Sequence, residues 1–330
     1  MRIWNREKWE ISYWARKIPV TARVSRLDLL SHLPVYLGPG FLGKYKQFIV
    51  KHRALSYPPT PYFNNHEGLP AIEITIDCAA KDSKLLSNVI ELAELNVLNP
   101  ISVISVVVPS SDFELISDQI SKTSYKSPIR VLDENSILAE EIRNKIKVLF
   151  PNRYGWVIHQ FLTLQQILNS SSLGVLSIDS DTLILRPMAF LNSDGIQVLM
   201  ESLEYNRPYY EFLNRINPVF KIDSTSHVTH YSFFQKSLLL GIFEKVGIRT
   251  LIDLVDCIES YADLDSSSPI CIDRELYALG LLAFYPEKCT LVKFANISVS
   301  YQEIYDPIQL EHLSKKYNSV SAHSYLQAST

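Results

Sequence analysis

Short apolar runs alternate with segments of helical periodicity from residue 71 onward, and few folds accept such a pattern. The apolar runs predict strands at 71–78, 101–108, 128–132 and 173–178, and the periodic segments predict helices at 82–96, 112–121, 137–149 and 156–169. The run at 101–108 is apolar almost throughout, as expected for a strand that is covered on both faces. The alternation is typical of a parallel sheet with crossover helices, so we predict an α/β fold with a Rossmann-type sheet.

The second half of the chain is less regular. Strand-like runs lie at 182–185, 196–200, 228–234, 291–299 and 318–325, and helices are predicted at 235–246, 249–262, 272–281 and 308–317. The aromatic-rich stretch at 205–220 receives no assignment. Because ligands of parallel α/β sheets bind at the carboxyl ends of the strands, we expect the chemistry of this chain just after the strand at 173–178.

Basic residues are concentrated at the N-terminus. Residues 1–55 carry 11 Lys and Arg against 3 Asp and Glu, a balance of +8; since the whole chain has 32 against 35, the remainder carries 21 against 32, a balance of −11. The same segment contains Trp4, Trp9 and Trp14. Basic and aromatic side chains suit an anionic membrane surface, and they also suit an arm that packs on the acidic body, so both interpretations stay open. We expect no nucleic-acid partner.

The proline-rich stretch 56–70 predicts an extended, turn-rich connection. We therefore predict a basic, aromatic extension with its linker at 1–70 and an α/β body at 71–330. The four cysteines form no C-x-x-C pair, the first residues lack the apolar core of a signal peptide, and no apolar run approaches the roughly 20 residues that span a bilayer. We expect a cytoplasmic chain with reduced thiols, peripheral at the inner membrane face if the basic segment binds lipid.

Two aspartates, Asp179 and Asp181, directly follow the strand predicted at 173–178. Carboxylates at positions i and i+2 of such a turn can meet one divalent cation, Mn²⁺ or Mg²⁺, whose remaining positions take diphosphate oxygens. The spacing alone is weak evidence, because Asp263-Leu264-Asp265 repeats it in a segment that we interpret as a solvated turn. The location after a buried strand makes 179–181 the candidate metal site.

The segment 176–187, LSIDSDTLILRP, resembles the D-x-D element of glycosyltransferases of the GT-A fold. Flanking segments resemble, in order and spacing, one family of bacterial glycosyltransferases of that fold; these segments are 78–82, 133–134, 155–164, 204–209, 226–230 and 273–277. The resemblance covers roughly residues 71–325 and leaves the basic N-terminal part unmatched. The chain departs from the family pattern at four positions, where the family has Gln, Lys, His and Glu: His159, Thr163, Asn206 and Asp273.

The resemblance implies a GT-A-like mixed sheet flanked by helices and a metal-dependent transfer of a sugar from a nucleotide-sugar donor to a glycan or lipid-linked acceptor, in surface polysaccharide biosynthesis. It assigns the donor to residues 71–187 and the acceptor to residues 188–330. The implied donor-binding residues are Cys78, Ala79, Asp82, Asp133, Trp156, Gln160 and Asp179. The implied acceptor-binding residues are Tyr205, Tyr209 and His230, and the implied metal ligands are Asp179, Asp181 and His323.

Glu275 and Asp273, at the start of a predicted helix, are candidates for the catalytic base. If the reaction inverts the sugar, a carboxylate must take the proton of the acceptor hydroxyl, and both acids lie in the expected acceptor half. Acids in a first turn also stabilise a helix dipole, so a structural role stays open. Structural alternatives stay open for four other residues: a helix N-cap for Asp82, packing for Trp156, a core position for His230 and simple exposure for His323.

Two other classes of function stay open. A phosphatase of the haloacid-dehalogenase type also has a D-x-D-x-[TV] motif after a strand, with its first Asp as nucleophile. Here Leu183 occupies the [TV] position, and the chain has no later G-D-x-x-x-D. The second class is a degenerate, non-catalytic glycosyltransferase fold that serves as a membrane scaffold, suggested by the basic segment and the departures at His159 and Thr163.

Overall fold

The computed structural model describes residue 63 and residues 67–202, 204–221, 225–264 and 269–322. These residues belong to one compact unit. The basic segment 1–55 and His323 lie outside the described residues, so the expectations for them stay predictions. The predicted boundaries at residues 70 and 187 also stay predictions.

The described residues form strands and helices in alternation. The strands are β1 Ile72–Asp77, β2 Ile101–Val108, β3 Ile129–Asp133, β4 Val175–Ile178, β5 Thr182–Ile184, β6 Gln197–Glu201, β7 Tyr231–Phe234, β8 Cys289–Lys293, β9 Asn296–Ser298 and β10 Ser319–Ser321. The α-helices are α1 Leu86–Asn96, α2 Phe113–Ser121, α3 Glu134–Ile137, α4 Glu140–Leu149, α5 Tyr154–Asn169, α6 Arg207–Ile216, α7 Lys236–Val246, α8 Leu251–Tyr261, α9 Arg274–Phe284, α10 Tyr301–Ile304 and α11 Pro307–Ser314. Short 3-10 helices lie at Ala80–Leu85, Ser110–Asp112 and Pro286–Lys288. Within the described ranges, none of the helices has the length and apolar content needed to cross a membrane.

A five-stranded sheet with the order β3-β2-β1-β4-β7 forms the centre of the fold. The first four strands are parallel, and β7 runs antiparallel to β4. Alternate residues of β2 belong to two different apolar clusters: Val106 and Val108 to one, Val107 to the other. This explains the nearly continuous apolar run of β2, because both faces of the sheet are covered.

Helices provide the cover on each face. On one face, α1 contributes Leu86 and Val89 to the cluster that contains Val106, and on the other face α5 contributes Val157 and Phe161 to the cluster that contains Val107. Side chains three or four positions apart lie on the same side of a helix, and full burial of each contributes roughly 1.5–3 kcal/mol. The predicted α/β fold, a mixed sheet flanked by helices, is confirmed.

Two smaller sheets, β5-β10-β9 and β6-β8, complete the topology. After β4 the chain turns at 179–181 and continues into β5, which pairs antiparallel with β10. The backbone N–H of Ala322, next to β10, donates to the carbonyl oxygen of Asp181 at 3.0 Å. The turn after β4 is therefore supported by the central sheet on one side and by β10 on the other.

The main differences from the sequence prediction have local causes. The helix predicted at 137–149 corresponds to α4 and begins at Glu140, because the residues before it form the separate short helix α3, which the carboxylate of Asp133 caps. The strand predicted at 291–299 is divided into β8 and β9, which pair with β6 and β10 in different sheets. The unassigned stretch at 205–220 contains α6, which has Pro208 in its first turn. A run of apolar or aromatic residues in the sequence does not show which strand or helix it packs against.

Candidate active site

Carboxylates gather at one edge of the central sheet. Asp77 is the last residue of β1, Asp133 is the last residue of β3, and Asp179 directly follows β4. These strands are parallel, so their carboxyl ends meet at the same edge. The turn after β4 is fixed by two backbone hydrogen bonds, from Asp179 N to His230 O at 2.8 Å and from Thr182 N to Asp179 O at 3.0 Å.

Asp179 contacts two cationic side chains. Its Oδ1 accepts a hydrogen bond from Arg274 Nη2 at 2.8 Å, and its Oδ2 lies 3.1 Å from His230 Nδ1. Burial alone would raise the pKa of Asp179, but Arg274 and His230 together lower it to about 2. For His230, burial opposes the charged form, yet Asp179 raises its pKa above the ordinary value. Both oxygens of Asp179 are therefore engaged within the protein, and its role as a metal ligand stays a prediction.

Arg274 connects this turn to the start of α9. Its side chain is 8% exposed, Nε donates to the carbonyl oxygen of Thr229 at 2.6 Å, and Nη1 donates to Asp273 Oδ2 at 2.6 Å. One guanidinium therefore holds Asp179, Asp273 and the segment before β7 together. Its planar arrangement of donors suits two carboxylates at once.

Asp181 lies near a second acid, Asp82, in the 3-10 helix that follows β1. Burial raises the pKa of Asp82, and the charge of Asp181 adds to this, while Lys81, 3.7 Å away, opposes it. Burial and the same two carboxylates also raise the pKa of Tyr301 in α10. A divalent cation between the carboxylates of Asp82 and Asp181 would relieve the repulsion between them. Carboxylate oxygens are also suitable ligands for Mg²⁺ and Mn²⁺. Within the part of the chain that the structure describes, no group of three or more His, Cys, Asp or Glu side chains forms a metal site.

Cys78 and Ala79 connect β1 to this 3-10 helix. The N–H of Cys78 donates to Val107 O at 2.8 Å, and burial raises the pKa of its thiol to about 12, so the thiol stays protonated. Ala79 is the N-cap residue, and its carbonyl oxygen accepts from Asp82 N at 2.9 Å. The alternative in which Asp82 is a helix N-cap is therefore wrong, and its carboxylate lies 3.7 Å from Lys81 Nζ instead.

Asp133 has structural contacts at the end of β3. Its Oδ1 accepts hydrogen bonds from Ser110 Oγ at 2.6 Å and from Asn135 N at 2.8 Å. It is the N-cap of α3, which is a common role for Asp. Asp133 lies at the predicted edge, and its contact with a donor stays a prediction.

Gln160 and Trp156 stand on α5, and each has a packing role. Gln160 is 2% exposed, and its Oε1 accepts a hydrogen bond from Ile272 N at 2.8 Å, which ties α5 to the segment before α9. Trp156 stacks on Tyr209 with ring centroids 6.1 Å apart, and the guanidinium of Arg153 lies 4.7 Å from the centre of its ring. These contacts agree with packing of Trp156 at the helix start, and donor binding by either residue stays a prediction.

Tyr205 and Tyr209 belong to an aromatic group that joins α5 to α6. Tyr205 stacks on Tyr210 with ring centroids 4.8 Å apart and an interplanar angle of 17°. Tyr209 is buried, whereas Trp156 and Tyr205 are half-buried. Partly exposed aromatic faces can stack on sugars, so the acceptor role of this group stays a prediction.

The two candidate bases, Glu275 and Asp273, are both 0% exposed. Glu275 Oε1 accepts hydrogen bonds from Tyr210 Oη at 2.8 Å, Ser226 Oγ at 2.9 Å and His227 N at 2.9 Å. Burial raises the pKa of Glu275. Neither carboxylate reaches a surface where an acceptor hydroxyl can approach, so their contacts favour a structural role, and base catalysis by either one stays an untested prediction.

The sequence interpretation missed three charged residues at this edge: Asp77, His159 and Arg274. His159 Nδ1 lies 2.6 Å from Asp77 Oδ2. Burial alone would lower the pKa of His159, but Asp77 raises it to about 8. Two signals were present in the sequence: Asp77 is the second-last residue of the strand predicted at 71–78, and His159 is one of the departures from the family pattern. Their pairing across 82 positions is not visible in the sequence.

No protein-family profile matches the chain, and no curated protein sequence matches it at a significant level. Solved structures similar to the chain include mouse xyloside xylosyltransferase 1 in its apo form, with a TM-score of 0.39, 10% identity, and coverage of 77% of this chain and 98% of that one. The apo structure of the bifunctional glycosyltransferase WbbM has a TM-score of 0.43 and 10% identity, and covers 80% of this chain and 47% of that one. The galactosyltransferase LgtC, in complex with donor and acceptor sugar analogues, has a TM-score of 0.42 and 11% identity, and covers 76% of this chain and 87% of that one. Because these values are low, residue roles in this chain depend on the contacts described above.

Proposed function

We propose that this chain is a GT-A-type glycosyltransferase, which moves a sugar from a nucleotide-sugar donor to a glycan or lipid-linked acceptor in surface polysaccharide biosynthesis. The supporting observation is the position of Asp179-Ser180-Asp181. This turn directly follows the parallel strand β4, next to β1, at the edge where α/β sheets bind nucleotides. The resemblance of residues 176–187 to the D-x-D element agrees with this position.

The cofactor in this proposal is a divalent cation, Mn²⁺ or Mg²⁺. The residues fit it in part: Asp181 and Asp82 offer carboxylate oxygens near each other, although Asp181 Oδ1 also accepts a hydrogen bond from Thr182 Oγ1 at 3.2 Å and Asp179 is held in ion pairs. Asp181 would hold the cation, and His323 remains a candidate ligand from outside the described residues. The cation would supply positive charge to the departing nucleoside diphosphate.

The chain's own residues divide between donor and acceptor. Residues 78–82 and Asp133 lie at the ends of β1 and β3, where we place the base and ribose of the donor. Tyr205, Tyr209 and His230 lie in the second half, where we place the acceptor. Arg274 holds Asp179 in position between the proposed donor-binding and acceptor-binding residues.

Replacement of Asp181 tests this proposal. With Mn²⁺ and a panel of nucleotide sugars, we expect Asp181→Ala to lower sugar transfer or donor hydrolysis by about 100-fold or more, because the charge that holds the cation is lost. The thermal unfolding midpoint should stay close to that of the wild type. The matched control is Asp263→Ala, which removes an exposed acid from the second Asp-x-Asp and should leave turnover unchanged. Unchanged turnover in Asp181→Ala would contradict the metal assignment.

A second candidate is the non-catalytic scaffold, and two observations favour it. Asp179 is held in ion pairs within the protein, and Glu275 and Asp273 are buried. Titration of a nucleoside diphosphate with and without Mn²⁺ separates the two functions: metal-dependent binding supports the transferase, and no binding supports the scaffold. Release of phosphate from simple phosphomonoesters without a sugar donor would instead indicate a phosphatase.

We place the protein in the cytoplasm, with residues 1–55 in contact with the anionic inner membrane face. The balance of +8 in this segment supports the placement, because each basic residue near an anionic surface contributes about 1 kcal/mol. Neutralising its Lys and Arg should reduce cosedimentation with anionic vesicles, and added salt should reduce binding of the wild type. Absent or salt-insensitive binding of the wild type would contradict this placement.

A further inference from the structure

His159 and Asp77 form a charged pair at the carboxyl edge of the central sheet. His159 stands on α5, Asp77 ends β1, and His159 Nδ1 lies 2.6 Å from Asp77 Oδ2. The side chain of Asp77 is 11% exposed, and that of His159 is 27% exposed. Within the described ranges, Nε2 of His159 has no hydrogen-bond partner, so the second nitrogen of the ring is available to a ligand.

The ion pair between Asp77 and His159 is not explained by a contribution to the stability of the fold alone. Partial removal of two opposite charges from water costs free energy that their attraction repays only in part, so a half-buried ion pair contributes little to folding. Both oxygens of Asp77 are buried, and among the described residues neither has a polar partner other than the ion-pair contact of Oδ2 with His159. Charged groups kept at such a cost at the edge of a sheet are typical of functional sites.

The neighbouring residue on α5 shows what a structural side chain does at this place. Gln160 is buried and bonded to Ile272 N, so it already connects α5 to the segment before α9. His159 does not take part in that connection, and it is turned to the strand end instead. The two consecutive residues therefore have different roles, one in packing and one at the edge of the site.

The surroundings of His159 belong to the proposed donor site. Its ring is within electrostatic range of Arg274 and Asp179, and β1, which carries Asp77, is paired with β4. An imidazole whose Nδ1 is fixed by a carboxylate presents Nε2 in a defined direction. With a pKa of about 8, the ring is mostly protonated at neutral pH, so Nε2 is a charged hydrogen-bond donor.

We propose that His159, oriented by Asp77, donates a hydrogen bond from Nε2 to a phosphate oxygen of the donor's diphosphate group. This inference rests on the proposed function, because it places that diphosphate at the ends of β1 and β4. His159 contacts the ligand directly, and Asp77 is a positioning residue. A charged donor fixed before the ligand arrives stabilises a phosphate oxygen without rearrangement of the site.

The test is titration calorimetry of the full chain with UDP, GDP and ADP in the presence of Mn²⁺. For a diphosphate that binds the wild type, we expect about tenfold to hundredfold weaker binding by His159→Leu, because a hydrogen bond to a charged group is lost. The corresponding nucleoside, which has no phosphate, should bind both proteins equally. A merely structural role of His159 would weaken both ligands. The matched control is His312→Leu, at an exposed histidine of α11.

The double variant Asp77→Asn/His159→Leu excludes repulsion by an unpaired Asp77 as the cause. It should bind the diphosphate as weakly as His159→Leu, and recovery of wild-type affinity would overturn the inference. Equal affinity of His159→Leu and the wild type would overturn it as well, but would leave the proposed function standing. If the wild type binds none of the three diphosphates, the proposed function and the inference both fail.

A measurement on the wild type covers the case in which His159→Leu does not fold. The imidazole signal of His159 in a carbon–proton NMR spectrum should shift when the diphosphate saturates the protein, and should stay in place with the nucleoside. No shift with the diphosphate overturns the inference.

Discussion

Arg274 connects residues that lie far apart in the sequence. It donates hydrogen bonds to Asp179 at the turn after β4, to Asp273 at the start of α9 and to the backbone of Thr229. Without it, Asp273 would lose the ion pair with Arg274, and Asp179 would keep only its contact with His230. The geometry of the D-x-D turn therefore depends on Arg274, which lies 95 positions after Asp179 in the sequence.

Replacement of Arg274 should mainly lower the stability of the fold. We expect Arg274→Ala to lower the free energy of unfolding by about 3–5 kcal/mol, because it leaves buried charges uncompensated. Lys has one point charge instead of a planar fork, so Arg274→Lys should recover only part of the loss. Denaturant unfolding measures both values.

The control for this measurement is Arg215→Ala. Arg215 is exposed and donates to the carbonyl oxygen of Tyr261, so its loss should change the free energy of unfolding by about 0.5 kcal/mol or less. Similar losses for Arg274→Ala and Arg215→Ala would mean that the buried network does not support the fold.

Among the helices, α9 has the most direct effect on the site, because Asp273 and Arg274 lie at its start. Gly280 in this helix faces α7: a Cβ placed there would lie 2.5 Å from Ile242 Cγ2, a separation too short for real carbon atoms. The glycine thus permits close packing of α7 and α9. Gly155, near the start of α5, has nothing within 4 Å of the same position.

These two glycines make a matched pair of Ala substitutions. Ala is the better helix former by about 1 kcal/mol, but overpacking a core costs about 1–3 kcal/mol. We expect Gly280→Ala to lower the free energy of unfolding by about 1–2 kcal/mol, and Gly155→Ala to raise it by about 0.5 kcal/mol. Thermal or denaturant unfolding measures whether the two substitutions change the free energy of unfolding in opposite directions. A Gly280→Ala variant more stable than the wild type would show that Ile242 moves aside without cost.

For the whole molecule, the sequence predicted what depends on local pattern. The alternation from residue 71 indicated the parallel strands of the central sheet, and the position of Asp179 and Asp181 after a buried strand indicated the edge where charged residues meet. Both follow from periodicity and from the rule that parallel strands end together.

What the sequence did not show depends on contacts between distant positions. The pairs Asp179–Arg274 and Asp77–His159 form only when the sheet brings α9 and α5 to the same edge. The burial of Glu275 follows from the contacts of Tyr210 and Ser226, which no spacing rule indicates. The side of a helix that becomes buried is decided by its neighbours, so an acid in a first turn can be a base or a structural group.

The claim on which the function depends is that Asp181 holds a divalent cation beside a nucleoside diphosphate at the end of β4. A crystal structure of the chain with Mn²⁺ and the diphosphate selected by calorimetry tests it, because manganese gives its own anomalous signal. We predict a manganese peak in contact with the Asp181 carboxylate and with the diphosphate, while Asp179 stays bonded to Arg274. A diphosphate bound elsewhere, or bound at this turn with no manganese at Asp181, would contradict the claim.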